Sequence, residues 1–210
     1  KIAGRYIERI REVRAEGPYI LGGYSFGGVV AYEMAQQLAA QSMDVERLVL
    51  FDTPNPAVEL QNRYNLAQRA SANWRNSKDQ PIIGRLNTLA KRVKTGIVSK
   101  RQHQSEVKEA MELLEAGEDV GEEIRVIQVR EAHTKIIEKY VPKVYPGAMV
   151  LLRADRQNDY CYFSEELGWE NLVRDGIELV DIPGKHLEIF EAPHLEVLVS
   201  KFGKVLESKR

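Results

Sequence analysis

The stretch Gly23-Tyr24-Ser25-Phe26-Gly27 sets one hydroxyl in a G-x-S-x-G frame, after the short apolar run Tyr19-Ile20-Leu21 and before a helical period at Val30, Met34 and Leu38. A serine in a sharp strand-to-helix turn is lifted clear of a sheet, and the chemistry this serves is nucleophilic attack. The tight turn calls for small residues two positions to either side of Ser25, and Gly28 lets the helix pack closely. Phe26 N–H then points at a developing oxyanion, and the helix N-terminus favours negative charge there. A plainer reading makes Ser25 only the cap of that helix.

A serine hydroxyl attacks poorly near neutrality unless a base lies within hydrogen-bond reach and a third group orients the base. The chain has four histidines. His186, in Asp181-Ile182-Pro183-Gly184-Lys185-His186, follows the last apolar run and sits in a turn at the sheet end where Ser25 also emerges. His194 follows Pro193 at the start of the final helix and reads as a capping or surface residue. His133, near Ile136, Ile137 and Tyr140, reads as a pocket wall without a proton to move, and His103 in a charged run as solvated. No histidine pair has metal-ligand spacing, so no metal is expected. Two carboxylates could orient His186: Asp52 ends the second apolar run and Asp155 follows the third. Chain order Ser, Asp, His permits both.

These groups need a scaffold. Residues Ile2 to Ala15 place Ile2, Tyr6, Ile10 and Val13 on one helical face. The run from Tyr19 suits a strand buried on both faces of a parallel sheet. A second run ends at Phe51, a third spans Ala148 to Leu152, a fourth Ile177 to Ile182, and an amphipathic helix through Leu195, Leu198, Phe202 and Val205 closes the chain. The pattern predicts one α/β domain over residues 1–210. Residues Ala57 to Tyr145 show helical periodicity and almost no strand-like run. Structureless links beyond about 12 to 15 residues are uncommon in compact domains, so this interval reads as a helical insertion over the strand ends. It holds a basic stretch from Arg85 to Arg101, including Lys91, Arg92 and Lys94, and then an acidic one. The bland reading is two solvated helix faces; the sharper one is a docking surface for an acidic partner.

A net charge of −1 gives no long-range pull toward nucleic acid or anionic membrane. The single cysteine, Cys161, excludes an internal disulfide framework and leaves no zinc-ligand set. No run approaches the roughly 20 apolar residues needed to cross a bilayer, and the N-terminal residues lack the apolar centre of a signal peptide. A cytoplasmic protein is expected.

With Ser25, Asp52 and His186 in view, the chain resembles the thioesterase domains that end polyketide synthases and non-ribosomal peptide synthetases, which have the α/β-hydrolase fold. The segments that carry the likeness are GPYILGGYSFGGVVAYEMA, VERLVLFDTPNP, YVPKVYPGAMVLLRAD and GWENLVRDGIELVDIPGKHLEIF. They touch every predicted strand and leave the insertion largely unmatched. The resemblance implies that the acid ends the strand after the nucleophile helix, which selects Asp52. It implies a lid at 57–145, whose pocket wall would include Tyr64, Trp74, Leu89, Val93 and His133; a plainer reading makes these the insertion's own core. It also implies an acyl or peptidyl chain taken from the phosphopantetheine arm of a carrier protein onto the serine. Release follows to water or to an internal nucleophile. The enzyme itself would bind no cofactor, since phosphopantetheine belongs to the donor; on the docking reading of the basic stretch, Lys91, Arg92 and Lys94 would meet the carrier. Members of the family carry further strands ahead of the elbow, so a front segment missing from this chain is expected. Other readings are an editing thioesterase, a free-ester esterase or lipase, and a binding module that kept the fold.

Overall fold

The computed structural model describes residues 1–58, 105, 122–156 and 164–208. The chain divides into two compact units, one of Lys1–Tyr64 with Val141–Arg210 and the other of Asn65–Tyr140. In the second unit the described helix is α3, Glu122–Ile137.

The first unit is built on four parallel strands, β1 (Tyr19–Tyr24), β2 (Val45–Phe51), β3 (Met149–Ala154) and β4 (Ile177–Ile182), in the order β1-β2-β3-β4. Parallel neighbours need a crossover, and α2 (Phe26–Ala40) supplies the one between β1 and β2. This unit also carries α1 (Ile2–Val13) and α4 (His194–Glu207) among its described residues.

Because side chains alternate along a strand, the sheet separates two cores. On one face Tyr19 and Leu21 of β1, Leu48 and Leu50 of β2, and Met149 and Leu151 of β3 join Ala3 and Ile7 of α1 and Tyr32, Ala35 and Leu38 of α2. On the other, Val49, Val150, Leu152, Ala154 and Ile182 meet Leu198 and Val205 of α4. The result is a three-layer α/β/α arrangement consistent with the α/β-hydrolase fold.

Two sequence expectations need correcting. The strand β1 is not buried on both faces: Ile20 is 52% exposed. On its side of the sheet the covering helix, α4, packs at β4, at the far edge from β1. Helix α1 turns Ala3 and Ile7 inward, while Ile2, Tyr6 and Val13 lie exposed and only Ile10 of the predicted face is partly buried. The small Ala3 lets α1 settle close, and a face read only from large apolar residues overlooks it.

Two aromatic side chains whose roles the periodicity did not reveal tie distant loops to α2 and to the end of β2. Tyr32 is fully buried, and its hydroxyl is within hydrogen-bond distance of the Lys143 and Leu172 carbonyls at 2.8 and 2.6 Å. Trp169, also fully buried, donates Nε1–H to the Thr53 carbonyl at 2.7 Å, just past β2. A buried donor must be paired, so each aromatic adds direction as well as apolar area.

Candidate active site

Parallel strands end at one edge, so whatever follows each strand is delivered to one rim. The register pairs Tyr24 with Phe51, which places the next residues, Ser25 and Asp52, side by side. Ala154 pairs with Ile182, so Asp155 and the turn carrying His186 leave the same edge.

Ser25 holds φ 53° and ψ −122°, outside the regions a non-glycine residue prefers, at the joint of β1 and α2. Its backbone is over-determined: Ser25 N–H donates to Phe51 C=O at 3.1 Å, and Ser25 C=O accepts from Gly28 N–H at 3.0 Å. The turn closes so tightly that a Cβ on Gly23 would lie 2.2 Å from the Gly27 carbonyl oxygen, and one on Gly28 would lie 2.0 Å from Thr53 Oγ1. Gly27 differs from expectation, since a Cβ there meets nothing within 4 Å. Of the two flanking glycines, only Gly23 is required by space.

The Ser25 hydroxyl makes no capping bond to the helix. Instead its Oγ lies 3.1 Å from His186 Nε2, and His186 Nδ1 lies 2.7 Å from Asp52 Oδ2. Asp52 is 3% exposed, and its other oxygen, Oδ1, accepts Ala154 N–H at 2.9 Å. A buried carboxylate acts only as an acceptor when ionised, so Nδ1 carries the imidazole proton and Nε2 is left to accept from Ser25 O–H. The hydroxyl-to-carboxylate line through one imidazole is the arrangement in which a serine can lose its proton as it attacks.

Asp155 is engaged elsewhere. Its Oδ1 accepts Gly184 N–H at 2.9 Å, two residues before His186, while Arg156 N–H donates to Gly184 C=O at 3.0 Å. Glu188 closes the turn from the other side, taking Lys185 N–H at 3.0 Å and pairing with Arg156 at 2.9 Å. His194 is half-buried at the start of α4, and a Cβ on Gly184 would come within 3.1 Å of its ring; it packs on the same turn instead of capping the helix.

The residue that sequence reasoning passed over is Tyr24, the variable position of the motif before the serine. Its ring stacks on the His186 imidazole, with centroids 4.7 Å apart and planes 25° from parallel, and its hydroxyl donates to the His186 carbonyl at 2.7 Å. Burial, and next the charge of Asp52, push its phenol up to about 12. Nothing in the spacing marks this role, because the partner is 162 residues away.

Phe26 opens α2 and is half-buried. His133 lies half-buried on α3 in the second unit, where burial lowers its imidazole pKa. Tyr64, Trp74, Leu89, Val93, Lys91, Arg92 and Lys94, with Cys161 and His103, lie outside the described residues. Among the described residues no three His, Cys, Asp or Glu side chains are grouped to hold a metal ion, and no helix is long and apolar enough to cross a membrane.

A parallel sheet with helices on both faces and a positive-φ serine at the first strand–helix joint has the form of an α/β-hydrolase. The model of the family described as "Thioesterase domain" matches residues 1–206, and the chain belongs to that family. Among curated relatives, the polyketide synthase PksR of Bacillus subtilis (strain 168) is 38% identical over 94 residues, 45% of this chain and 3% of PksR. The non-reducing polyketide synthase aoiG of Aspergillus oryzae is 55% identical over 51 residues, 24% of this chain and 2% of aoiG. The chain therefore spans a few per cent of the length of these relatives. Among solved structures, the NocB thioesterase domain in covalent complex with a fluorophosphonate nocardicin G analogue is 27% identical, with a TM-score of 0.60 over 98% of this chain and 73% of that one. The surfactin thioesterase domain SrfTE, at 16% identity and a TM-score of 0.58, shares the fold over 99% of this chain and 76% of its own.

Proposed function

We propose that the chain is the releasing thioesterase of a polyketide or non-ribosomal peptide assembly line, acting through an acyl-serine on Ser25. The observation that carries this reading is the bridge of His186 between Ser25 Oγ at 3.1 Å and Asp52 Oδ2 at 2.7 Å. His186 Nε2 takes the Ser25 proton as Oγ adds to the thioester carbonyl, and Asp52 steadies the imidazolium that forms. The carbonyl oxygen becomes an oxyanion at the start of α2, where Phe26 N–H and the helix dipole stabilise it. Collapse breaks the C–S bond, and His186 returns the proton to the leaving pantetheine thiolate. In the second half His186 deprotonates water, or a hydroxyl or amine of the acyl chain itself, which adds to the acyl carbonyl; the acyl–Oγ bond breaks and His186 returns the proton to Ser25 Oγ, giving the free acid or the ring. The enzyme needs no cofactor in either half; phosphopantetheine arrives on the carrier protein. The capture of a fluorophosphonate by NocB supports the same chemistry at Ser25.

Two further proposals concern 57–145: that it forms the lid whose pocket, with Tyr64, Trp74, Leu89, Val93 and His133 in its wall, selects the acyl chain, and that Lys91, Arg92 and Lys94 dock an acidic carrier. Charge reversal at these three cations is expected to weaken transfer from carrier-bound substrate and spare a small thioester. Equal loss on both removes the docking role.

The central test is Ser25→Ala with a thioester substrate and a fluorophosphonate label. Turnover should fall by several powers of ten, since triad members act as a unit, and labelling should vanish. A loss of only a few-fold, or labelling that persists, removes Ser25 from the role of nucleophile.

A further inference from the structure

Among the described aromatic side chains near the rim, Tyr24 touches the base at two places at once. Tyr24 is the last residue of β1, so its backbone is pinned by the sheet and by its pairing with Phe51. The ring lies against the imidazole of His186 and the hydroxyl reaches over to the backbone carbonyl of that same residue. Behind it, Phe190 closes edge-on at 4.9 Å, and Phe51 in turn packs edge-on against Phe202 of α4 at 5.2 Å. An aromatic column therefore runs from the final helix to the face of the base.

His186 needs such support because its turn belongs to no strand or helix. Asp155 and Glu188 hold the turn by backbone groups at Gly184 and Lys185, before the histidine. Asp52 and Ser25 meet the two ring nitrogens, which leaves the imidazole able to tilt about the line between them. A stacked ring restricts the tilt, and a hydrogen bond to the carbonyl fixes the Cα from which the ring hangs. A shift of about 1 Å in a reacting group can cost on the order of a hundredfold in rate.

We propose that Tyr24 is a positioning residue for the acyl-transfer reaction, holding the His186 imidazole in line between Ser25 and Asp52 by its ring and by its hydroxyl. The inference rests on His186 being the base of the proposed reaction. It adds that the variable residue before the serine is chosen by the base it must support: an aromatic ring is required there, and the hydroxyl refines the fit.

The test compares Tyr24→Phe, Tyr24→Leu and His186→Ala in the full chain, with a small thioester that needs no carrier. Tyr24→Phe keeps the stack and loses one neutral hydrogen bond, so kcat should fall about 3- to 10-fold. Tyr24→Leu loses both contacts, and kcat should fall on the order of a hundredfold with KM within about two-fold. A second readout is independent of turnover: the Nδ1 proton in the short bond to Asp52 should give a low-field proton resonance in the native chain and in Tyr24→Phe. That signal should broaden into exchange with water in Tyr24→Leu. Rescue by Phe separates ring support from general damage to the fold. If Tyr24→Leu keeps kcat within about two-fold and a sharp resonance, the positioning role is wrong; if Phe is as damaging as Leu, the required aromatic ring is wrong. If His186→Ala itself retains turnover, the acyl-transfer reading fails first, and the resonance alone then reports whether Tyr24 holds the ring.

Discussion

Asp52 and Asp155 end neighbouring strands, and both reach the turn that carries His186, yet their oxygens are spent differently. Asp52 gives one oxygen to the imidazole and the other to Ala154 N–H, whereas Asp155 accepts a backbone N–H at Gly184. Asp52→Asn offers the imidazole an amide that cannot steady its charged form, so kcat should fall on the order of 10³- to 10⁴-fold with the fold intact. Asp155→Asn retains an acceptor for Gly184 N–H, so kcat should stay within about tenfold. Measuring both with one thioester checks the assignment, and a larger loss for Asp155→Asn would reverse it. Residue types and chain order could not separate these two carboxylates, because they are equivalent until the strand register sets their heights. Asp52 stands level with Ser25; Asp155 is a strand further away.

The joint of β1 and α2 shows how closely an element must be fitted before a residue can act. Gly28 rides against Thr53, and the Trp169 indole holds the carbonyl of that same threonine, so the floor under the serine turn is a close-packed contact between two chain segments. Gly28→Ala would drive a methyl into Thr53 and should cost about 1 to 3 kcal/mol in a denaturant titration. Gly27→Ala has open space and a helical position, so it should be neutral or stabilise by up to about 1 kcal/mol. The four strands and the helices α1, α2 and α4 could be read from runs and periods, since short apolar runs and the 3.6-residue repeat are local. Faces were less legible. Which side of α1 or β1 is buried depends on where a neighbouring helix ends, and α4 comes from the other end of the chain.

At the scale of the molecule, one buried and one half-buried phenol set an alkaline limit. Tyr24 and Tyr32 are both raised from 10.0 to about 12, mainly by burial, so each holds its proton longer when folded than when unfolded. Between pH 10 and 12 the unfolded chain therefore binds fewer protons, and stability falls as pH rises; below pH 10 the contribution is fully present. Denaturation midpoints across this window should fall steeply in the native chain and less steeply in Tyr32→Phe. An unchanged slope would show that Tyr32 ionises as freely when folded as when unfolded. The sequence by itself determined the strand–turn–helix elbow around Ser25, the set of four strands and His186 as candidate base, because each is written in short-range spacing; the thioesterase likeness came with them as a resemblance of whole segments. Tertiary structure alone put Asp52 on the imidazole and Asp155 on Gly184 N–H, excluded capping by Ser25, and put Tyr24 against His186. Those outcomes depend on groups more than a hundred residues apart meeting at one sheet edge, where strand register and close packing set the distances.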